Sequence, residues 1–118
     1  MTRRTQRVGD LLRTELSTII SRRVRDPRVA MATVSAVDMS PDLKHARVYV
    51  SVVGTDEERQ ASLAALDHAA GFIRSQLARE LKRLRNIPEL RFELDRGAEY
   101  SQRISELLEN PDEHKQSP

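Results

Sequence analysis

Near the N-terminus, apolar residues recur every three or four positions, the spacing that places side chains on one face of an α-helix. They are Val8, Leu11, Leu12, Leu16, Ile19, Ile20 and Val24. This pattern predicts an amphipathic helix over residues 7–24. The helix should end near Arg25, because Pro27 disfavours helical backbone at Asp26 and has no N–H to donate.

Two segments rich in β-branched residues follow, at 33–39 and 46–53. In the second segment every other residue is apolar, which is the period of a strand with one buried face. These apolar residues are Ala46, Val48, Val50 and Val52. The intervening residues 40–45 contain Ser-Pro-Asp turn chemistry, so the pattern predicts an antiparallel hairpin.

A longer helical pattern begins after Gly54. Thr55 and Glu58 have the spacing of a capping box, in which each side chain bonds the backbone of the other residue. Apolar residues then recur with helical spacing until the breakers Asn86 and Pro88; they include Leu63, Leu66, Ile73, Leu77, Leu81 and Leu84. The pattern therefore predicts one continuous helical region from about residue 55 to residue 84.

A straight helix of that length, at 1.5 Å per residue, would measure roughly 45 Å and would overhang a globule of this chain length. The small residues Ala69, Ala70 and Gly71 interrupt the pattern, and small side chains favour a kink. A glycine inside a helix costs roughly 1 kcal/mol relative to alanine, so we expect Gly71 to serve the bend. The region should form two helices joined at 69–71.

After Pro88, apolar and charged residues alternate over 90–95, which predicts a third strand. Residues 100–108 could form one short helix, and the polar segment 109–118 should be disordered. The sequence thus predicts one α+β domain over 1–108, in the order α-β-β-α-kink-α-β. Its three-stranded sheet should be covered on one face by the helices.

Composition excludes several classes of function. The chain has no cysteine, so it forms no disulfide and no cysteine-based zinc site. Its histidines, His45, His68 and His114, lack metal-ligand spacing, and no phosphate-binding glycine loop or nucleophile motif is present. We therefore expect no enzymatic activity, cofactor, metal or small-molecule substrate. The N-terminus lacks a signal-peptide pattern, so we expect a cytoplasmic, monomeric protein away from the membrane.

Positive charge is concentrated in two segments, 1–28 and 71–91, although the formal net charge is only +2. A local basic surface matters more for binding polyanions than the total charge does. The candidate RNA-contacting residues are Arg22, Arg23, Arg25, Arg28, Arg74, Arg79, Lys82, Arg83 and Arg85. On a continuous helix, Arg79, Lys82 and Arg83 would form one stripe. The few aromatic residues, Phe72 among them, are predicted to be mostly core, so phosphate contacts should supply the affinity.

Short motifs along most of the domain resemble one protein family. They are RV at 7–8, EL at 15–16, DPR at 26–28, TVS at 33–35, ARVYV at 46–50, AAGFIR at 69–74 and PELRF at 88–92, with Ser40, Asp42, Leu43, Leu84, Arg85 and Asp95. In this order and spacing they resemble ribosome-binding factor A, a bacterial maturation factor of the small ribosomal subunit. The resemblance implies a type II KH-like fold. In that fold an Ala-x-Gly kink, here residues 69–71, replaces the G-x-x-G loop of other KH domains.

The resemblance also implies a function: a non-enzymatic factor that binds free 30S subunits, contacts 16S rRNA, assists late maturation and 5′-end processing, and supports growth in the cold. Two alternatives remain open. The chain could be a generic KH-type module for single-stranded RNA, although the G-x-x-G loop is missing and stacking aromatics are few. It could instead be a module that docks on a ribosomal protein or a GTPase through a sheet edge.

Overall fold

The computed structural model describes residues 2–84 and 86–95, and this part of the chain is an α+β domain with the predicted order of elements. The helices are α1 (Arg3–Arg22), α2 (Asp56–His68) and α3 (Ala70–Glu80), and the strands are β1 (Ala32–Met39), β2 (His45–Val52) and β3 (Glu89–Leu94). A 3₁₀ turn, Pro27–Val29, connects α1 to β1. The helix predicted at 100–108 and the tail 109–118 lie outside the described residues.

The sheet has the order β1-β2-β3, so β2 is its central strand. β1 pairs antiparallel with β2, which confirms the predicted hairpin, and β2 pairs in parallel with β3. The predicted inward-facing residues of β2 are all buried: Ala46, Val48, Val50 and Val52. They join the apolar faces of the helices in one core. Because the strand places alternate side chains on opposite faces, the other face of β2 carries exposed or half-buried residues.

Helix α1 covers β1 with most of the predicted apolar stripe, of which Leu12, Leu16 and Ile19 are almost fully buried. Leu11, which was predicted to belong to the stripe, is instead 43% exposed. The helix begins earlier than predicted, because the Thr2 side chain caps it by accepting the N–H of Thr5 at 3.2 Å. It also ends earlier, at Arg22. Its close approach to the sheet requires a glycine: a Cβ on Gly9 would lie 3.0 Å from a backbone oxygen of β1.

A β-bulge at Ser35 interrupts the pairing of β1 with β2, since Val34 pairs with Val50 while Ala36 pairs with Tyr49. The bulge directs the Ser35 hydroxyl towards the end of β3. It lies 2.5 Å from a carboxylate oxygen of Asp95 and 3.2 Å from the carbonyl oxygen of Tyr49. The bulge therefore connects the two outer strands across β2.

The capping box at the start of α2 is confirmed: Thr55 accepts the N–H of Glu58, and the Glu58 carboxylate accepts the N–H of Thr55. Gly54 precedes the cap with a φ of +151°, and a Cβ there would lie 3.1 Å from the Glu58 side chain. A glycine is needed at this position because both the backbone conformation and the close contact disfavour any side chain.

Helices α2 and α3 meet at Ala69, inside the segment where the sequence predicts the kink. Ala69 has φ −87° and ψ 0°, outside the helical range, and it ends one helix and begins the next. Gly71 lies within the first turn of α3, and apart from its chain neighbours and the backbone of its own helix, no described atom lies within 4 Å of where its Cβ would be. The bend therefore does not depend on the special backbone freedom of Gly71, contrary to our expectation.

The prediction that the helix continues to Leu84 is wrong, because α3 ends at Glu80. Leu81 leaves the helical conformation, and the N–H of Leu84 closes a turn on its carbonyl oxygen at 3.0 Å. Lys82 and Arg83 lie on this turn, so the predicted stripe with Arg79 on one helix does not exist. The chain must turn here because β3 starts beside the beginning of β2, where its parallel pairing begins.

Candidate nucleic-acid interface

The two basic segments lie next to each other because Arg23, just after α1, reaches across to α3. Its guanidinium donates to the Gln76 side-chain oxygen at 2.6 Å and to a Glu80 carboxylate oxygen at 2.9 Å. This bridge places the C-terminal end of α1 beside the C-terminal half of α3. We call the surface around this bridge the α1–α3 face; Arg22 and Arg25 lie beside Arg23 in the sequence, and Arg79 directly precedes Glu80.

Some of the predicted RNA-contacting cations on this face are free to bind. Arg22, Arg25 and Arg79 are exposed, and their side chains make no hydrogen bond or ion pair with another described residue. A free, exposed guanidinium can form a bidentate pair with a phosphate without first breaking a contact in the protein. These three residues are the strongest phosphate-binding candidates in the described part of the chain.

Arg28 is paired with a carboxylate. Its guanidinium donates to both oxygens of Asp26, and its backbone N–H also bonds this carboxylate. The side-chain hydrogen bond from Arg28, with the backbone bond as the next cause, lowers the pKa of Asp26 to about 2. Asp26 is therefore ionised at neutral pH and balances the charge of Arg28 locally, which makes Arg28 a weaker phosphate ligand than the free arginines.

Arg74 has a structural contact that the sequence did not reveal. Its guanidinium donates to the carbonyl oxygens of Pro88, at 3.2 Å, and of Ile87, at 3.1 Å. These bonds attach α3 to the segment that leads into β3. Arg85, another predicted RNA contact, lies outside the described residues.

Lys82 and Arg83 are exposed, with no side-chain bond to another described residue, but Arg83 lies in a different part of the surface from Arg22, Arg25 and Arg79. Arg83 lines a hollow of about 360 Å³ together with Arg4 from the first turn of α1 and Lys44 from the hairpin turn. Asp42 is the acidic residue that lines the same hollow. This second basic cluster could not be predicted from the sequence, because its members come from three distant parts of the chain.

Phe72 was among the few aromatic residues predicted to be mostly core, but it is 46% exposed. The helical spacing explains this exposure. The core-facing residues of α3 are Ile73 and Leu77, and the positions that share a face with Phe72 are the polar residues Ser75, Gln76 and Arg79. Phe72 lines a hollow of about 440 Å³, the kink hollow, with residues from the end of α1 and the end of α2.

Neither metal nor membrane chemistry is indicated in the described part of the chain. Within residues 2–84 and 86–95, no three histidine, aspartate or glutamate side chains cluster closely enough to hold a metal ion. In the same residues, no helix has both the length and the apolar character that crossing a bilayer requires. The distinctive chemistry of the surface is its set of free cations.

Comparison with known proteins identifies the family to which this chain belongs. The sequence profile described as "Ribosome-binding factor A" matches residues 4–108. The chain belongs to the ribosome-binding factor A family. A ribosome-binding factor A from Thermomicrobium roseum is 46% identical over 113 residues, which cover 96% of this chain and 87% of that protein. One from Pseudomonas syringae is 43% identical, with 98% and 87% covered.

Solved structures of ribosome-binding factor A agree with this fold. The crystal structure of the Thermus thermophilus protein has a TM-score of 0.68 and 31% identity, covering 76% of this chain and 94% of that one. A homology model of the Thermus thermophilus protein, fitted into a cryo-EM map of a 30S–RbfA complex, has a TM-score of 0.65 and 32% identity, with 77% and 94% covered. The expected KH-like α+β fold is thereby confirmed.

Proposed function

We propose that this protein is a non-enzymatic assembly factor of the cytoplasm that binds the free 30S ribosomal subunit and contacts 16S rRNA. Through these contacts it assists late maturation of the subunit and processing of the 16S rRNA 5′ end. Membership of the ribosome-binding factor A family supports the proposal. The name of the Thermus thermophilus 30S–RbfA complex, whose protein has the same fold, supports it further.

The observation that carries the RNA-binding part is the group of free arginines on the α1–α3 face. Arg22 ends α1, Arg25 follows it in the loop before the 3₁₀ turn, and Arg79 lies on α3, which Arg23 bonds to the end of α1. The chain has a formal net charge of only +2, so attraction to a polyanion depends on such local clusters. Each arginine that binds a phosphate releases counterions, and affinity then falls steeply as salt concentration rises.

The test is sedimentation of the purified protein with isolated 30S subunits, 50S subunits and assembled ribosomes over a series of salt concentrations. A variant carries glutamine at Arg22, Arg25 and Arg79. A matched control carries glutamine at Arg3, Arg7 and Arg13, three exposed arginines of α1 that precede its C-terminal end. We expect wild type and control to bind 30S subunits selectively. In a plot of the logarithm of the 30S association constant against the logarithm of the salt concentration, the slope of the first variant should be shallower by about 2 to 3 than that of wild type.

Equal binding to every RNA-containing particle would contradict the assembly-factor function and leave a non-specific polyanion binder. An unchanged salt dependence in the triple variant would show that other residues contact the phosphates. The processing step has its own measurement: in cells depleted of the protein, primer extension should show 16S rRNA precursors with unprocessed 5′ ends. Normal 5′ ends after depletion would remove that part of the proposal.

Docking on a protein is the second candidate, and one observation favours it. Met31 and Val53 are 56% and 69% exposed, and both line a hollow of about 280 Å³ beside α2. Exposed apolar side chains around one hollow are typical of protein contacts. If this surface binds a ribosomal protein, Met31→Gln should weaken 30S binding without changing its salt dependence, whereas an unchanged affinity would exclude the contact.

A further inference from the structure

We propose that the kink hollow receives an unpaired RNA base, stacked on the ring of Phe72, with a neighbouring phosphate held by Arg25. This inference rests on the proposed function and adds to it a site for one nucleotide. Such a site was not expected from the sequence, because the few aromatic residues, Phe72 among them, were predicted to be mostly core.

The shape of the hollow suits a flat ligand. Phe72 projects from the first turn of α3, and nearly half of its surface is exposed. Ala65 and Ala69 also line the hollow, and their small side chains leave its volume of about 440 Å³ open. Core packing does not need Phe72, since Ile73 and Leu77 of the same helix are fully buried. An exposed aromatic ring beside open space is the element that proteins use to stack single-stranded bases.

The charge of the hollow suits a nucleotide better than an apolar peptide. Arg23 and Arg25 line it, and the side chain of Arg25 makes no bond with another described residue. Asp26 is the acidic residue of the lining, and Arg28 pairs with it. A ligand with an aromatic ring and an adjacent negative charge would therefore complement both the ring of Phe72 and the free guanidinium of Arg25.

The backbone beside the hollow is accessible too. Gly71 is exposed and precedes Phe72 directly, and apart from its chain neighbours and the backbone of its own helix, no described atom lies within 4 Å of the position of its missing Cβ. The described residues therefore leave room for a sugar-phosphate chain beside Gly71. This access explains how a base could reach the ring while the RNA backbone passes over the α1–α3 face.

The chain contains no tryptophan, so Phe72→Trp introduces a single indole as a fluorescent reporter in the hollow. The full-length variant is titrated with isolated 30S subunits and, separately, with a short unstructured oligoadenylate. Stacking of a base should quench the indole fluorescence in both titrations. Affinity for 30S subunits is then compared among Phe72→Ala, Phe72→Leu and Phe72→Tyr, after thermal melts have shown that each variant is folded.

We expect Phe72→Ala and Phe72→Leu to weaken 30S binding by about 5- to 150-fold, because a lost base–aromatic stack has that effect. Phe72→Tyr should retain binding because it keeps the ring. Wild-type affinity in Phe72→Leu, with loss only in Phe72→Ala, would show that an apolar side chain of a protein occupies the hollow. That result would overturn the inference, as would a blue shift of the indole without quenching.

The outcomes separate this inference from the proposed function. If Phe72→Ala binds like wild type while the Arg22, Arg25 and Arg79 variant loses its salt dependence, the proposed function is supported and the base site is refuted. If wild type shows no preference for 30S subunits but oligoadenylate still quenches the indole of Phe72→Trp, the base site is supported and the assembly function is refuted.

Discussion

Arg74 separates the two roles that a basic residue can have in this protein. The sequence predicts that it grips RNA, but its guanidinium donates two hydrogen bonds to carbonyl oxygens of Ile87 and Pro88. Those bonds attach α3 to the beginning of β3. We predict that Arg74→Gln destabilises the fold and leaves the salt dependence of 30S binding unchanged when binding is measured well below the melting temperature.

The expected magnitude follows from the two bonds. An intramolecular hydrogen bond contributes a net 0.5–1.5 kcal/mol, and Arg74 is exposed, which favours the lower part of that range. Loss of both bonds should therefore reduce the free energy of unfolding by about 1–2 kcal/mol. For a domain near this size, that corresponds to a decrease in melting temperature of roughly 4–8 °C, measurable by circular dichroism.

Arg79→Gln on the same helix is the matched control, because the Arg79 side chain is exposed and makes no bond with another described residue. Its free energy of unfolding should change by less than about 0.5 kcal/mol, while its 30S binding weakens. The reasoning would be refuted if Arg74→Gln melted within about 1 °C of wild type, a shift too small for the loss of two bonds, and bound 30S subunits with a reduced salt dependence. Arg74 would then be an RNA contact.

Three further predictions concern single positions. Gly71→Ala should raise the free energy of unfolding by up to about 1 kcal/mol in calorimetry, because the added methyl meets no neighbour; a decrease would restore a structural role for this glycine. Asp26→Asn should destabilise the protein at neutral pH. Arg28 lowers the pKa of Asp26 from 3.8 to about 2, so the greater stability of wild type over the variant should be complete above about pH 5 and vanish as pH falls from about 4 to 2. Urea unfolding over this pH range measures the stability difference, and a difference that persists below about pH 2 would contradict the pairing. Gly54→Ala should cost about 1–3 kcal/mol in thermal melts, since its φ is +151° and Glu58 crowds the Cβ position; an unchanged melting temperature would refute this.

Local patterns predicted the elements of this fold well. The alternation in β2, the apolar stripe of α1 and the capping box of α2 are properties of a few neighbouring residues, and the structure confirms each of them. The end of α3 was missed for a different reason. Leu81 and Leu84 continue the helical spacing, but the chain turns there because β3 must begin beside His45. Long-range strand pairing, which local spacing does not encode, determines this boundary.

The candidate site was predicted less completely than the fold. The sequence identified the free arginines, but it could not show that Arg23 would join α1 to α3 or that Arg74 would bond two carbonyl oxygens. Both contacts depend on tertiary structure. Phe72 is different, because its helical position relative to Ile73 and Leu77 was available in the sequence. A helical wheel that starts at Ala70, the true beginning of α3, places Phe72 on the polar side.

The central position of β2 also determines the order in which a newly synthesised chain can fold. β1 and β2 are both available for pairing once Val52 has left the ribosome, but the partner for the other edge of β2 comes after both α2 and α3. Until Leu94 has been synthesised, that edge presents unpaired N–H and C=O groups, which promote aggregation. A chain released before β3 would therefore be prone to aggregate, and parallel pairing should be the slow, final step of folding.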